Sequence, residues 1–164
     1  MNKLNNEHSL ANIYKSRMII IIGYIIILLI INIINNKIYN GIINTYIFVI
    51  LCLLGALSNG KDLIYKRKKN RMKIIFDSVL ILIILCIFLL VLPPYTHKKA
   101  INKIIMDSSK TSNINIKYIK TWNAPIKRKN QYFIKYHYQL IFREGYRQID
   151  YLFDPKTGSY KIIN

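Results

Sequence analysis

The feature that most constrains this chain is a set of three long apolar runs in its first 92 residues. The runs cover residues 18–34, 38–60 and 74–92. Their only charged residue is Asp77, in the third run. A helix of about 20 apolar residues crosses the hydrocarbon core of a bilayer, and residues 93–164 are too few to cover three such helices in a water-soluble fold. The pattern therefore predicts three transmembrane helices.

The first run is interpreted as an uncleaved span rather than as a signal peptide. It is longer than the apolar region of a signal peptide, about 7–15 residues, and it lacks a small-residue cleavage pattern. Its short connection to the second run is rich in Asn and Gly, which readily end helices, so the first two spans are expected to form a helical hairpin. The predicted organisation is an N-terminal tail at 1–17, a transmembrane region at 18–92 with spans near 18–36, 39–58 and 74–92 and a basic loop at 59–73, and a folded domain at 93–164.

The distribution of basic residues predicts the orientation, because cytoplasmic loops retain Lys and Arg. The N-terminal tail carries three of them and the loop after the second span carries seven, whereas the two opposite flanks together carry five. Ten against five favours a cytoplasmic N-terminus and an extracytoplasmic C-terminal domain. The abundance of Ile, Asn, Lys and Tyr is typical of proteins from AT-rich bacterial genomes, so we expect a multi-pass protein of a bacterial cell membrane.

The formal charge of +18 comes from 25 Lys and Arg against 7 Asp and Glu. Such a surplus attracts polyanions, which include lipid headgroups, nucleic acid and anionic wall polymers, and it does not choose among them. Basic residues of the loop after the second span are candidates for contacts with lipid headgroups, although we favour the simpler interpretation that they only set the topology. These candidates are Lys66, Arg67, Lys68, Lys69, Arg71 and Lys73.

Polar residues inside the spans are the candidates for a function of the helices themselves. Asp77 lies about one turn inside the third span, and Lys73 precedes it at helical contact spacing. A local ion pair is therefore expected, and a proton-relay or transport role is the alternative. Asn32, Asn44 and Thr45 lie near the outer ends of the first two spans. They are expected to hydrogen-bond across the hairpin or to sit at the membrane interface.

Residues 93–164 have the patterns of an α+β domain. Pro93 and Pro94 end the third span, and apolar residues at helical spacing predict an amphipathic helix over 97–108 that packs on the sheet or lies at the membrane surface. Alternating apolar residues predict four strands of an antiparallel sheet covered on one face. The pattern places the last three strands at 131–143, 146–153 and 159–163, with a bulge at 118–119, a break at 123–125 and turns at 144–145 and 154–158. The predicted fold is one helix on a four-stranded antiparallel sheet.

The order of helix, strand and long hairpin, followed by YLFDPKTGSYKII, resembles the small PepSY-type domains of bacterial envelope proteins, a group of cystatin-like helix-on-sheet folds. The matching residues are Asp154, Thr157 and Gly158 of a D-x-x-T-G turn, with Tyr151 and Phe153 before it and Ile162 after it. The resemblance covers about residues 98–164 and none of the spans. It implies a domain tethered outside the cell that modulates proteases or acts as an interaction module, without catalytic residues.

The sequence predicts no catalytic residue, no cofactor site and no metal site. His8, His97 and His137 lack the spacing of a zinc site, and His137 is interpreted as an ordinary sheet position. Neither a nucleophile elbow nor a Gly-rich phosphate loop is present. A membrane-embedded enzyme would need Asp77 or His137 to be essential. The basic and aromatic strand YFIKYHY lacks the Gly of an RNA-recognition motif, so nucleic acid is not an expected partner.

These features predict a non-enzymatic, membrane-anchored protein whose outer domain binds a protein, a peptide or a cell-wall polymer. The expected partners are the lipid bilayer and either another membrane or envelope protein or an anionic wall polymer. The alternative is a membrane component of a transport or bacteriocin-immunity system that acts through its helices. Under the first hypothesis the expected interaction surface is basic. It comprises Lys127, Arg128, Lys129, Lys135, Arg143 and Arg147.

Overall fold

The computed structural model describes residues 2–65, 71–112, 116–126 and 132–163. Within these ranges the chain forms four helices and one four-stranded antiparallel sheet, which confirms the predicted elements. The helices are α1 (Asn2–Tyr39), α2 (Tyr46–Ile64), α3 (Arg71–Val91) and α4 (His97–Ser112). The strands are β1 (Lys117–Pro125), β2 (Tyr136–Glu144), β3 (Arg147–Phe153) and β4 (Tyr160–Ile162). The chain divides into a helical unit, Met1–Asn32 with Thr45–Leu90, and a sheet unit, Ile33–Asn44 with Val91–Asn164.

Three of the helices contain segments that are long and apolar enough to be candidate membrane spans. These segments are Tyr14–Tyr39, Tyr46–Ile64 and Arg71–Val91. At about 1.5 Å per residue, the shortest is roughly 28 Å long. α1 begins at Asn2 rather than after the predicted tail, because no Pro or Gly precedes Gly23 to end it. α2 begins at Tyr46 rather than near residue 39 and continues to Ile64, so the second helix lies further along the chain than predicted.

Each helix of the helical unit buries one stripe of residues at helical spacing. The stripes are Arg17, Ile20, Tyr24, Ile27 and Ile31 on α1, Phe48, Cys52, Gly55, Asn59 and Asp62 on α2, and Asp77, Ile84 and Phe88 on α3. Phe48 and Phe88 meet edge to face, with ring centroids 5.3 Å apart. The charged and amide residues lie at the start of the stripes on α1 and α3 and at the end of the stripe on α2. The stripes therefore combine an apolar part with a polar end.

The connection between α1 and α2 turns at Asn and Gly, as predicted. Asn40 and Gly41 have φ angles of 52° and 76°, a left-handed conformation that these residue types adopt readily. The side-chain amide of Asn35 then hydrogen-bonds both the N–H and the carbonyl of Ile43. Its Nδ2 donates to the Ile43 carbonyl at 3.2 Å, and its Oδ1 accepts from the Ile43 N–H at 3.0 Å.

This connection also pairs with the segment that precedes β2, and the sequence did not predict this pairing. Ile43 and Ile134 form an antiparallel bridge. On either side of it, the N–H groups of Lys135 and Asn44 donate across the bridge, both at 2.8 Å. Residues 33–44 therefore belong to the sheet unit, although they are distant from it in sequence.

The strands lie in the order β1-β2-β3-β4, and each is antiparallel to the next. The β1–β2 register shifts between Tyr118 and Lys120, which confirms the predicted bulge. α4 packs on one face of the sheet through Ala100 and Ile104, which are fully buried. The buried residues on that face include Tyr138, Leu140, Phe142, Tyr151 and Phe153. The predicted packing of the helix on the sheet is thus confirmed, and its position at the membrane surface stays a prediction.

Two strand bounds differ from the prediction. β1 continues through Pro125 instead of breaking at residue 123. Proline is tolerated there because β1 is an edge strand, in which an N–H that points away from the sheet is not needed for a hydrogen bond to a neighbouring strand. β2 begins at Tyr136, five residues later than predicted. The β2–β3 hairpin turns at residues 145–146, and Gly145 has a φ of 57°.

The D-x-x-T-G segment forms the turn that the sequence predicts. The carbonyl of Asp154 accepts from the Gly158 N–H at 2.8 Å, and Oδ1 of Asp154 accepts from the Lys156 N–H at 2.8 Å. Gly158 has a φ of 73°, and a Cβ at this position would lie 2.4 Å from the ring of Tyr95. Both the backbone conformation and the close contact therefore require glycine here.

Candidate functional site

Charged and amide side chains are buried together at the polar ends of the three helix stripes. Arg17, Asn59, Asp62 and Asp77 are each at most 6% exposed. A buried charge is costly unless it is paired and hydrogen-bonded. These side chains meet that requirement by contacting one another across the three helices.

Asn59 of α2 connects α1 with α3. Its Oδ1 accepts from Nη1 of Arg17 at 2.9 Å, and its Nδ2 donates to Oδ2 of Asp77 at 2.9 Å. The same Nδ2 donates to the carbonyl of Gly55 at 3.0 Å. A side-chain amide can serve both neighbours because it carries a donor and an acceptor.

Asp62 of α2 pairs with two cations. Nη1 of Arg17 lies 3.1 Å from Oδ2 of Asp62, and Nζ of Lys73 forms an ion pair with the same oxygen. Lys73 also donates to Oγ of Ser58 at 3.0 Å. We call Arg17, Asn59, Asp62, Lys73 and Asp77 the buried polar network. Its two cations and two carboxylates sum to no net formal charge, which suits apolar surroundings.

The network differs from the local ion pair expected within α3. Lys73 pairs with Asp62 of α2, and Asp77 accepts from Asn59. Asn59 and Asp62 were assigned to the basic loop, so their role was missed. The signal that could have found them is their helical spacing from Gly55, which continues the buried stripe of α2.

Close packing of the helices surrounds the network. The ring of Tyr24 lies so near Gly55 that a Cβ on residue 55 would come 2.3 Å from Cζ of Tyr24. A Cβ at Gly23 would lie 3.2 Å from Cδ1 of Ile81 on α3. Glycine at these two positions lets α1 approach both neighbouring helices.

The predicted headgroup contacts have different outcomes. Lys66, Arg67, Lys68 and Lys69 lie outside the described residues. Arg71 is the first residue of α3 and is exposed, so its side chain lies outside the packed interior of the helices. Lys73 instead directs its ammonium group to Asp62 and Ser58 and belongs to the buried polar network.

The second candidate site is the sheet face opposite α4. Because successive strand residues point to opposite faces, the register identifies the side chains on it. Across the strands, Lys117, Arg143 and Gln148 form one row, Lys120, Ile141 and Asp150 form the next, and Trp122, Gln139, Leu152 and Lys161 form the third. We call these three rows the outer sheet face.

The outer sheet face is basic and partly aromatic. Its exposed cations are Lys117, Lys120, Arg143 and Lys161. Among its rows the one acid is Asp150, whose two oxygens accept from Gln139 at 3.2 Å and from Gln148 at 3.1 Å. Trp122 is 56% exposed, and Nζ of Lys120 lies 5.0 Å from the centroid of its ring. A cation over an exposed ring offers both charge and stacking surface.

The predicted interaction surface is only partly reproduced. Lys127, Arg128 and Lys129 lie outside the described residues. Lys135 and Arg143 are exposed, and Arg143 belongs to the outer sheet face. Arg147 pairs with Glu144 and therefore lies on the other face. The cations of β1 and β4 were missed because only strand pairing brings them beside Arg143.

His97 links the start of α4 to the sheet. Its Nε2 lies 2.7 Å from Oγ1 of Thr121, which is 2.9 Å from Oη of Tyr118. Burial lowers the pKa of His97 below its ordinary value of 6.5, because a buried site disfavours the charged imidazolium. Burial likewise raises the pKa of Tyr138, whose ring centroid lies 5.6 Å from that of His97. His137, on β2, pairs with Ala124 as an ordinary sheet position.

In the described part of the chain, no group of three or more His, Cys, Asp or Glu side chains is arranged to hold a metal ion. Comparisons with protein-family models, with curated proteins and with solved structures find no match. The resemblance of residues 98–164 to PepSY-type domains therefore stays a prediction.

Proposed function

We propose that this chain is an integral membrane protein that displays a small, non-catalytic α+β domain outside a bacterial cell. In this proposal the outer sheet face binds an anionic partner, either a wall polymer or an acidic stretch of an envelope protein or peptide. The domain then serves as an interaction or regulatory module, and the helices hold it at the membrane.

The observation that carries the membrane assignment is the distribution of polarity in the helical unit. Its interior holds the buried polar network, while large aliphatic side chains face outward. Leu54 and Leu90 are 61% and 84% exposed. Other exposed apolar residues are Ile19, Ile22, Ile26, Leu29, Ile50, Leu53, Leu57, Phe76, Leu82 and Leu89. Such a surface is far larger than a soluble protein leaves uncovered, whereas lipid favours apolar side chains outside and paired polar groups inside.

The pairing of residues 33–44 with the C-terminal domain supports the proposed topology. In the proposed topology the loop after the first span and the domain after the third lie on one side of the membrane, and the bridge between Ile43 and Ile134 supports this. Two spans, α2 and α3, separate these segments in the chain, and an even number returns the chain to the same side. The excess of Lys and Arg on the other side argues that the shared side is extracytoplasmic.

A pair of topology reporters tests this arrangement. Alkaline phosphatase fused after residue 164 should be active, since the enzyme requires an oxidising compartment, and the same reporter inserted after Tyr65 should be inactive. Membrane extraction at alkaline pH should leave the full chain in the pellet. A chain found in the soluble fraction would overturn the membrane assignment, and the reverse reporter pattern would overturn the orientation.

The anionic-partner part of the proposal follows from the charges of the outer sheet face. Its four exposed cations face one acid that already accepts two amide hydrogen bonds. A surface of this kind attracts phosphodiester or carboxylate polymers, and the attraction should weaken steeply as salt rises. Exposed Trp122 beside Lys120 adds a site where an apolar or ring-bearing part of the partner can stack.

Matched charge variants test this surface. The full chain in mild detergent is titrated with poly(glycerol phosphate), a simple phosphodiester wall polymer. Replacing Lys120 and Arg143 with Gln should weaken binding. Replacing Lys156 and Arg147 with Gln removes the same charges away from the outer sheet face and should leave binding largely intact. Equal losses in both double variants would assign the binding to net charge alone and contradict the proposed surface.

The buried polar network favours a second candidate, a transport or bacteriocin-immunity component that acts through its helices. Charged residues inside candidate spans are functional suspects because their insertion is costly. Deleting residues 93–164 separates the two candidates. Cells that keep protection against a bacteriocin panel after this deletion, and lose it with Asn59→Leu, would favour the helices over the outer domain.

A further inference from the structure

α4 presents a lysine-rich stripe beside the residues that it buries against the sheet. While Ala100 and Ile104 are buried, the stripe lies at helical spacing on another side of the helix. The stripe consists of Lys99, Lys103, Met106 and Lys110. Met106 is 57% exposed, so an apolar side chain lies between cationic ones.

A groove of about 310 Å³ runs along this stripe, which lines it together with Tyr95, Asn102 and Asp107. Lys103 is held in place at its edge, because its Nζ donates to the carbonyl of Gly158 at 2.9 Å and lies 5.1 Å from the centroid of the Tyr95 ring. Lys99, Asn102 and Lys110 are exposed. Their donors are therefore accessible to a ligand that enters the groove.

The acid in the groove is already engaged. Asp107 accepts from Oη of Tyr160 at 3.1 Å. Burial and, to a lesser extent, this hydrogen bond raise the pKa of Tyr160, so the phenol keeps its proton and remains a donor. Three lysines thus face one hydrogen-bonded carboxylate, which leaves the groove with a positive balance suited to an anion.

The position of the groove in the chain selects the kind of anion. Only residues 92–96 separate α4 from α3, the last candidate span. Five extended residues reach at most roughly 18 Å. If α3 spans the bilayer, the start of α4 therefore lies within about this distance of the lipid headgroups. Lysines that flank an exposed methionine suit this zone, since their stems pack on apolar groups while the ammonium reaches phosphate.

We infer that the groove on α4 binds the headgroup of an anionic phospholipid. Lys99 and Lys110 contact the phosphate and the other oxygen atoms of the headgroup. Asn102 adds a neutral donor, and Met106 contacts the glycerol and the upper carbons of the acyl chains. The site depends on the membrane assignment proposed above. It is separate from the outer sheet face, which lies on the other side of the sheet.

The test uses the full chain in a mild nonionic detergent with dioctanoyl-phosphatidylglycerol as the probe. Binding should be saturable, and dioctanoyl-phosphatidylcholine should bind much less. Replacing Lys99 and Lys110 with Gln should weaken binding of the phosphatidylglycerol about 30-fold, since each juxtamembrane lysine contributes roughly 1 kcal/mol. Lys103 is left unchanged because it supports the fold. The matched control replaces Arg147 and Lys156 with Gln, since these exposed cations lie outside both the groove and the outer sheet face, and it should bind like the wild type.

Each other outcome overturns the inference in a recognisable way. Equal weakening in the control variant would indicate a net-charge effect. Binding of glycerol 3-phosphate or inorganic phosphate with equal affinity would indicate a soluble phosphate ligand instead of a lipid. Equal binding of the phosphatidylcholine would remove the requirement for an anion. If the chain extracts into the soluble fraction, the proposed membrane function fails first, whereas an embedded chain without phosphatidylglycerol preference refutes this site alone.

Discussion

Tyr24 packs its ring directly on Gly55, so that a Cβ added there would lie 2.3 Å from Cζ of Tyr24. We expect Gly55→Ala to lower the free energy of unfolding of the helices by about 1–3 kcal/mol, the usual cost of overpacking a core. Unfolding by SDS in mixed micelles, followed by far-UV circular dichroism, measures it. Gly60→Ala is the matched control, because nothing lies within 4 Å of a Cβ at that position of α2. Alanine there should be neutral or stabilising, and equal effects of the two variants would contradict the packing.

The pairing of Arg17 with Asp62 predicts non-additive mutational effects. Asp62→Leu leaves the buried guanidinium of Arg17 without its carboxylate, which should cost about 3–5 kcal/mol. Arg17→Met should cost less, because Asp62 keeps its ion pair with Lys73. The double variant removes both charges and should cost clearly less than the sum of the two single variants. Lys73 does not reverse this expectation, because its side chain is 26% exposed and can reach polar surroundings. The same SDS unfolding assay measures the cycle, and additive losses would show that the two residues do not act as a pair.

The sequence was sufficient to predict the elements, because their signals are local. Three apolar runs predict three helices, and alternating residues followed by a D-x-x-T-G turn predict the strands. The bulge near Tyr118 was visible as a slip in alternation. Such patterns repeat every two or about 3.6 residues, so they need no knowledge of what each element contacts.

What could not be predicted is which distant residues meet. Asn59 and Asp77 lie 18 positions apart, and their contact depends on how α2 and α3 pack. The bridge between Ile43 and Ile134 requires pairing across most of the chain. Polar residues at the end of α2 were interpreted as loop because polarity alone counts against a span. Their inward direction is visible only once the helix is continued to Ile64.

The bridge between Ile43 and Ile134 predicts a disulfide when both are replaced by cysteine. The flanking hydrogen bonds make it a non-hydrogen-bonded antiparallel pair, with Cα atoms expected about 4.5 Å apart, a separation that a disulfide spans. Cys52 and Cys86, the two native cysteines, are first replaced by Ala. After mild oxidation, peptide mass spectrometry should find the cross-link in most molecules.

The control for this cross-link pairs Ile43→Cys with Tyr146→Cys. Tyr146 is fully exposed in the turn at the other end of β2, and roughly 30 Å of strand separates it from the bridge. The control pair should therefore oxidise slowly. Equal rates for the two pairs would contradict the bridge and, with it, the shared side of the two segments.

Gly158 and Gly145 differ in what surrounds them, although both have positive φ angles. Gly145→Ala should cost about 1–2 kcal/mol, because an L-residue disfavours that backbone conformation. Gly158→Ala should cost about 1–3 kcal/mol more, since its Cβ would also collide with the ring of Tyr95. Trp122, the single tryptophan, lies in β1 and reports unfolding of the sheet by fluorescence. Equal losses would show that Tyr95 moves away without cost.

The partly buried position of His97 predicts that the sheet unit loses stability in mild acid. Burial lowers the pKa of folded His97, whereas the unfolded chain keeps the ordinary value of 6.5. Below about pH 6.5 the unfolded state therefore binds more protons than the folded state. The stability of the sheet unit is thus fully retained above that pH, and it decreases as the pH falls from 6.5 to the lowered pKa of folded His97. Trp122 fluorescence during unfolding at about pH 7.5 and about pH 5.5 measures the difference. His97→Gln keeps a group that can bond Thr121 but does not titrate, and it should flatten this dependence. An equal loss in the wild type and in the variant would assign the effect to other groups.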